Sequence, residues 1–342
     1  MPLDGFNREK LSLLWLQSGG CGGCTLSLLG AEAPDLFSAL EFARIEVLAH
    51  PSLSGTGNEG FHGLLANVRS GEQPLDILCL EGAVMRGPRG TGRFHMLSGS
   101  ATPMKDVIAE VAQRARYVLA IGTCAAYGGV TAAGDNVTEA CGLVYEGAER
   151  GGLLGSAFRS GAGLPVINIA GCPTHPGWVI DTLMQISLGQ FSARDLDALG
   201  RPRSYAAHLV HHGCPRNEFY EYKASAQEIG QLGCMMEHLG CIGTQVHGDC
   251  NIRRWNGDGS CLRGGYPCVG CTEPGFGERD YPYLETPKRA GIPVGLPADM
   301  PKAWFVALAS LAKAATPERL RRNAVAETIA PPPSAGPGKA QR

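Results

Sequence analysis

Short apolar runs separated by polar, helix-periodic stretches dominate the first half of the chain. The runs cover residues 11–16, 45–48, 76–80, 117–121 and 165–169, and each except the second ends in a glycine or Glu-Gly turn. Residues 107–115 carry a helical pattern after Pro103, and Pro176 opens a helix through Leu188, with proline in a first-turn position. Apolar strands spaced by helices predict an α/β fold with a parallel sheet covered on both faces. Beyond residue 205 the periodicity weakens and loops are expected. The pattern divides the chain into an α/β domain at 1–195, a loop-rich C-terminal domain at 196–299, and a helix with a Pro/Gly/Ala-rich tail, expected to be disordered, at 300–342.

Composition adds little to this until the cysteines are counted. With 44% hydrophobic and 18% charged residues the chain reads as an ordinary soluble protein. A formal charge of −2 gives no field that would attract nucleic acid or anionic lipid. The apolar stretch at 303–315 is too short to span a bilayer, and the polar start at 1–10 does not read as a secretion signal. A cytoplasmic location is the expectation, with neither nucleic acid nor membrane as partner.

Eleven of the 13 cysteines, with one histidine, fall into three sets of four. Cys21, Cys24, Cys124 and Cys172 stand in glycine-rich turns just past predicted strands, so an open parallel sheet would gather them at its carboxyl edge. His211, Cys214, Cys234 and Cys241 form a second set, and Cys250, Cys261, Cys268 and Cys271 a third. Complete four-ligand sets suit cubane iron–sulfur clusters and electron conduction. Zinc is the competing reading for the two C-terminal sets, with three thiolates and an imidazole in one and four thiolates in the other. His211 is a better ligand candidate than His212, whose spacing to Cys214 is tighter. His175, His208, His238 and His247 are expected as polar surface or hydrogen-bonding residues, Cys79 as core, and Cys141 in a loop without an obvious partner. Arg216 stands either as a counter-charge to its set or as a solvated side chain.

The motifs Cys21-Gly-Gly-Cys24, Gly122-Thr-Cys124-Ala-Ala-Tyr-Gly-Gly, Ile169-Ala-Gly-Cys172-Pro, His211-His-Gly-Cys214-Pro-Arg, Leu239-Gly-Cys241 and Pro267-Cys268-Val-Gly-Cys271-Thr-Glu-Pro resemble those of nickel–iron hydrogenase small subunits, in family order over roughly residues 11–280. A subunit of respiratory complex I resembles only the first half. The resemblance implies a flavodoxin-like N-terminal domain holding a proximal [4Fe–4S] cluster on Cys21, Cys24, Cys124 and Cys172. It implies a medial cluster on Cys250, Cys261, Cys268 and Cys271, and a distal one on His211, Cys214, Cys234 and Cys241. The Ni–Fe centre would lie only in the large subunit, the obligate partner, buried against an apolar surface around the proximal edge.

Departures from the family pattern refine this. Many members have proline where Cys261 stands and a three-iron medial cluster, so Cys261 implies four irons here. The positions of the two extra cysteines of oxygen-tolerant members are Gly23 and Gly129, which implies an ordinary proximal cubane. Gly20 replaces the usual acidic residue, the usual Glu after the second ligand is absent, and the Cys234–Cys241 spacing is one residue longer than usual. Glu81 matches a family Glu-Gly motif. The chain shows neither the leader nor the membrane anchor of respiratory members, and with its C-terminal extension it resembles the cytoplasmic, hydrogen-sensing class. That class signals to a histidine kinase, and a dimer of heterodimers is a further expectation. A cytoplasmic uptake hydrogenase feeding metabolism is the alternative.

Overall fold

The computed structural model describes residues 10–278, 283–294, 296 and 301–325. The tail at 331–342 lies outside the described residues. Two compact units emerge: residues up to 204 together with the segment from Cys271, and residues 205–270 together with the C-terminal segments. The sequence pattern placed its boundary at 195/196 and did not foresee that the chain from Cys271 returns to the first unit.

The first unit is built on β1 (Leu11–Gln17), β2 (Ile45–Ala49), β3 (Ile77–Glu81), β5 (Tyr117–Ile121) and β9 (Ile167–Ile169). All pair in parallel, in the order β2-β1-β3-β5-β9. Counting sheet strands alone, this is the 2-1-3-4-5 order of doubly wound sheets. The central strands β3 and β5 are buried along their whole length, which explains why they read as continuous apolar runs rather than as alternations.

Helices α1 (Gly23–Leu29), α2 (Leu36–Phe42), α3 (Asn58–Ser70), α4 (Met104–Ala112), α5 (Gly122–Tyr127) and α6 (Pro176–Ser187) belong to the same unit. α4 turns Val107, Ile108 and Val111 into a core shared with Leu14, Leu78, Leu80 and Val118. Two small antiparallel pairs flank the sheet: β4 (Val84–Met85) with β6 (Ala140–Cys141), and β7 (Tyr145–Glu146) with β8 (Glu149–Arg150). Cys141, expected in a loop, is thus strand-paired and fully buried, where its thiol packs as a small hydrophobe beside Leu143. Cys79 is core, as read from the sequence.

The second unit has little regular structure. α7 (Arg203–Ala206) straddles its boundary, and α8 (Asn217–Glu221), the short pair β10 (Lys288–Arg289) and β11 (Ile292–Pro293), α9 (Lys302–Ala314) and α10 (Glu318–Val325) follow. Its own core packs Val210, Met235, Leu239, Val246 and Leu262 against candidate ligand cysteines. α9 is tied down by Lys313 Nζ on Glu237 at 3.1 Å and by the Thr316 hydroxyl on the Tyr222 carbonyl at 2.9 Å.

Candidate iron–sulfur sites

Three strand ends deliver the first cysteine set. β1 leads to Cys21 and Cys24, β5 to Cys124 and β9 to Cys172, all at the carboxyl edge of the sheet. They are close enough to act on one another electrostatically: Cys24 faces Cys124 and Cys172, and Cys172 faces Cys124 and Cys21. Burial pushes the Cys24 thiol up to about 12, against a hydrogen bond from the Thr174 backbone N–H that pulls it down. A thiol in such a place ionises when a metal takes the proton's part. Cys21 and Cys172 lie open on the surface.

Glycine makes the approach possible. Gly122 has φ +85°, and a Cβ added there would lie 2.5 Å from Cys24 Sγ. The Thr131 hydroxyl reaches Cys124 Sγ at 3.7 Å.

A buried carboxylate braces the same edge. Glu81, at the end of β3, is 4% exposed. It accepts from the Cys24 and Thr25 N–H groups at 3.0 Å each, from Gln17 Nε2 at 3.0 Å, from Trp15 Nε1 at 3.2 Å and from the Thr25 hydroxyl. Two of these donors open α1, where a negative charge is favoured by the helix dipole. Glu81 therefore fixes the first turn of α1, which carries Cys24. The Glu-Gly motif pointed to this residue, but not to its partners, which come from two other stretches of chain, β1 and the start of α1.

His211, Cys214, Cys234 and Cys241 line one cavity in the second unit, with Arg216 and Tyr220. His211 stands edge-on to the Tyr220 ring at 4.5 Å, and Lys223 Nζ sits 3.7 Å from the centre of that ring. Burial holds the His211 imidazole below its usual range, hence neutral at pH 7, the form that ligates metal. His212 does not line that cavity: its Nδ1 accepts from the Leu209 N–H at 3.2 Å. Burial pushes the Cys234 thiol up to about 12, and backbone N–H groups of Arg216, Met236 and Gly243 hydrogen-bond the three sulfurs. Such N–H···S contacts are the usual surroundings of cluster sulfurs.

Arg216 is 5% exposed, so the solvated alternative is excluded. Its guanidinium donates to the carbonyls of Leu262, Gln231 and Gly233, and the charges it faces are Cys214, Cys234 and Cys241. His175, expected as a polar surface or hydrogen-bonding residue, is buried and caps α6 by accepting from the Gly177 N–H at 3.1 Å.

The third set is divided. Cys250 and Cys268 pack on the core of the second unit, and Cys261 lies close enough to Cys241 to act on it electrostatically. Cys271 opens the segment that belongs to the first unit, where its carbonyl accepts from the Thr123 hydroxyl. Arg201, 2% exposed, holds the next two residues: its guanidinium reaches the Thr272 carbonyl at 3.3 Å and both Glu273 carboxylate oxygens at 3.1 Å, while Asp197 accepts from its Nε at 2.8 Å. Sequence reading missed Arg201 and Thr123; only the Thr-Glu-Pro after Cys271 hinted that this segment is anchored.

Comparisons with known proteins agree with this geometry. Residues 21–186 match the family described as NADH ubiquinone oxidoreductase, 20 Kd subunit, and residues 206–284 match the C-terminal family of NiFe/NiFeSe hydrogenase small subunits. The F420 non-reducing hydrogenase II small subunit of Methanosarcina mazei is 33% identical over 92% of this chain and 84% of that protein. Among solved structures, the actinobacterial-type NiFe-hydrogenase from Ralstonia eutropha H16 superposes with a TM-score of 0.73 at 27% identity, covering 91% of this chain and 93% of that one. The Ni-Fe-Se hydrogenase from Desulfomicrobium baculatum gives 0.67 at 27% identity, over 81% of this chain and 100% of the other. No helix among the described residues is long and apolar enough to cross a membrane. The chain belongs to the small-subunit family of nickel–iron hydrogenases, the electron-transfer partner of a large subunit that holds the catalytic site.

Proposed function

We propose that this chain relays electrons from dihydrogen oxidation in its large subunit through three [4Fe–4S] clusters. Cys21, Cys24, Cys124 and Cys172 would hold the proximal cluster, Cys250, Cys261, Cys268 and Cys271 the medial one, and His211, Cys214, Cys234 and Cys241 the distal one. The observation that carries the reading is the convergence of four thiols, distant in sequence, on the carboxyl edge of one sheet. The residues fit the group: these four thiols form no disulfide, glycines stand beside the sulfurs of Cys21, Cys24 and Cys124, Cys24 receives the Thr174 N–H and Cys124 the Thr131 hydroxyl. Clusters bound there would supply one-electron transfer. The exposed Leu26 and Leu29 beside the open Cys21 and Cys172 suit burial against the large subunit, in an interface of roughly 2,000 Å² or more.

We further propose that the relay serves hydrogen sensing in the cytoplasm, with exit at the His211 set toward a histidine kinase. Support comes from the C-terminal unit: α9 leaves Trp304, Leu308 and Leu311 exposed on one face, while Lys223 links its Phe305, at 5.9 Å, to Tyr220 beside His211. A protein docked on α9 would thus stand near the exit ligand. The second reading, an uptake hydrogenase feeding metabolism, draws on the relatives, which are named as hydrogenases rather than as sensors.

The first test is metal analysis of the purified heterodimer: about twelve irons and as many acid-labile sulfides in this chain are expected. Zinc without sulfide would refute the relay. Cys261→Pro should give the EPR signal of an oxidised three-iron medial cluster, and a four-iron signal in that variant would remove Cys261 from the ligand set. Gentle affinity purification from the native cell, with light scattering of the product, then separates the readings. A histidine kinase in a dimer of heterodimers supports sensing, whereas a cytochrome, ferredoxin or diaphorase supports uptake. Cell fractionation tests the location.

A further inference from the structure

Thr123 lies between two ligand sets. It precedes Cys124 in α5 and is 1% exposed. Its N–H donates to the Gly171 carbonyl at 3.0 Å, and its hydroxyl oxygen accepts from the Gly171 N–H at 2.9 Å, so it is doubly bonded to the residue before Cys172. The hydroxyl proton is left to donate to the Cys271 carbonyl. One side chain therefore joins the backbones of two proximal candidates and one medial candidate, all in the first unit.

We propose that the Thr123 hydroxyl is the electronic bridge between the proximal and medial ligand sets. The inference deepens the relay reading and rests on its ligand assignment. Tunnelling falls off faster across an empty van der Waals gap than along bonds and hydrogen bonds. The route from Cys124 through Thr123 Oγ1 to the Cys271 carbonyl has a hydrogen bond where a gap would otherwise be. One electron leaves the proximal side and one arrives at the medial side. The hydroxyl proton stays on Oγ1, and no bond forms or breaks.

The anchoring of Cys271 does not depend on this contact. Arg201 holds Thr272 and Glu273 independently, and Asp197 fixes Arg201. Removing the hydroxyl should therefore interrupt the route and leave Cys271 in place, while Gly171 loses one of its two bonds to Thr123 and keeps the one its carbonyl accepts from the Thr123 N–H.

The test is Thr123→Val, of nearly equal shape, and Thr123→Ser, which keeps the hydroxyl, both in the purified heterodimer. Rapid freeze-quench EPR after mixing with dihydrogen follows the arrival of the electron at the medial cluster. In the valine variant the iron content, both midpoint potentials and the magnetic splitting between reduced neighbouring clusters stay at parental values. The electron arrives several-fold later than in the parent. The serine variant runs at the parental rate. A parental rate in an intact valine variant overturns the bridge. Loss of iron or a changed splitting in the valine variant also overturns it, since Thr123 would then be only a structural tie. Absence of both cluster signals from the parent protein overturns the relay reading itself, and the bridge with it.

Discussion

Gly122→Ala puts the proximal site to a direct test. The residue sits at φ +85°, where a left-handed backbone costs an L-residue about 1–2 kcal/mol. The new methyl would also lie 2.5 Å from Cys24 Sγ and 3.4 Å from the Gly171 carbonyl oxygen. Optimal non-bonded separation is about 3.5 Å or more, so the sulfur must withdraw by about 1 Å. Metal–ligand distances tolerate shifts of only about 0.2 Å. The proposed proximal cluster is therefore expected to be lost while the sheet survives: about four of the proposed twelve or so irons disappear, with the EPR signals assigned to the medial and distal sets retained. Gly71→Ala separates strain from collision. It has φ +87°, at the C-terminus of α3, and nothing stands within 4 Å of its added Cβ. That variant should lose about 1–2 kcal/mol in urea unfolding and no iron. Full proximal iron in Gly122→Ala, or iron loss in Gly71→Ala, would refute the argument.

Three further outcomes follow from buried groups. Glu81→Ala strands the donors on Trp15, Cys24 and Thr25 and should cost about 3 kcal/mol or more, measured by the urea midpoint of the loaded heterodimer, with Glu81→Gln recovering part of the loss. Arg216→Met removes the cation facing three candidate cysteine ligands; a distal cluster held there as proposed would lose its counter-charge when reduced, so its midpoint should fall by about 60 mV, a tenfold change for one electron, and an unchanged EPR redox titration would contradict this. Burial holds His50 and His95 below their ordinary range, so the unfolded chain binds more protons than the folded one once pH falls below about 6.5. Thermal stability should thus be level above pH 7.5 and decline from pH 7 to pH 5, with His95→Gln reducing the slope.

Most of the sheet was legible because β1, β3, β5 and β9 are buried on both faces and run into glycine turns, whereas the edge strand β2 is partly exposed and was read from its short apolar run alone. β5 occupies the run read at 117–121, and β1, β2, β3 and β9 lie within two residues of theirs. The proximal cysteines could be placed because they follow those strand ends immediately. What the sequence hid depends on contacts between remote positions. Nothing near Arg216 announces that the carbonyls of Gln231, Gly233 and Leu262 will bury it. Nothing near Thr123 announces Cys271, which lies 148 residues further along the chain. α9 reads as amphipathic, yet both its faces carry apolar residues: Phe305 faces inward, Trp304 and Leu308 outward.

The spread of the ligands along the chain also fixes an order of maturation. The candidate proximal site draws on β1, β5 and β9, so it does not exist until the ribosome has delivered Cys172 and β9 has joined β5. The His211 set lies between residues 211 and 241, and closing that shorter loop costs about 1 kcal/mol less chain entropy and needs no sheet to be in place. Iron offered to a nascent or partly folded chain meets the local set as a ready chelator and the long-range set only as scattered thiols. With the proposed ligands, loading of the sheet edge would therefore be a late event, available only to a chain whose fold is already correct.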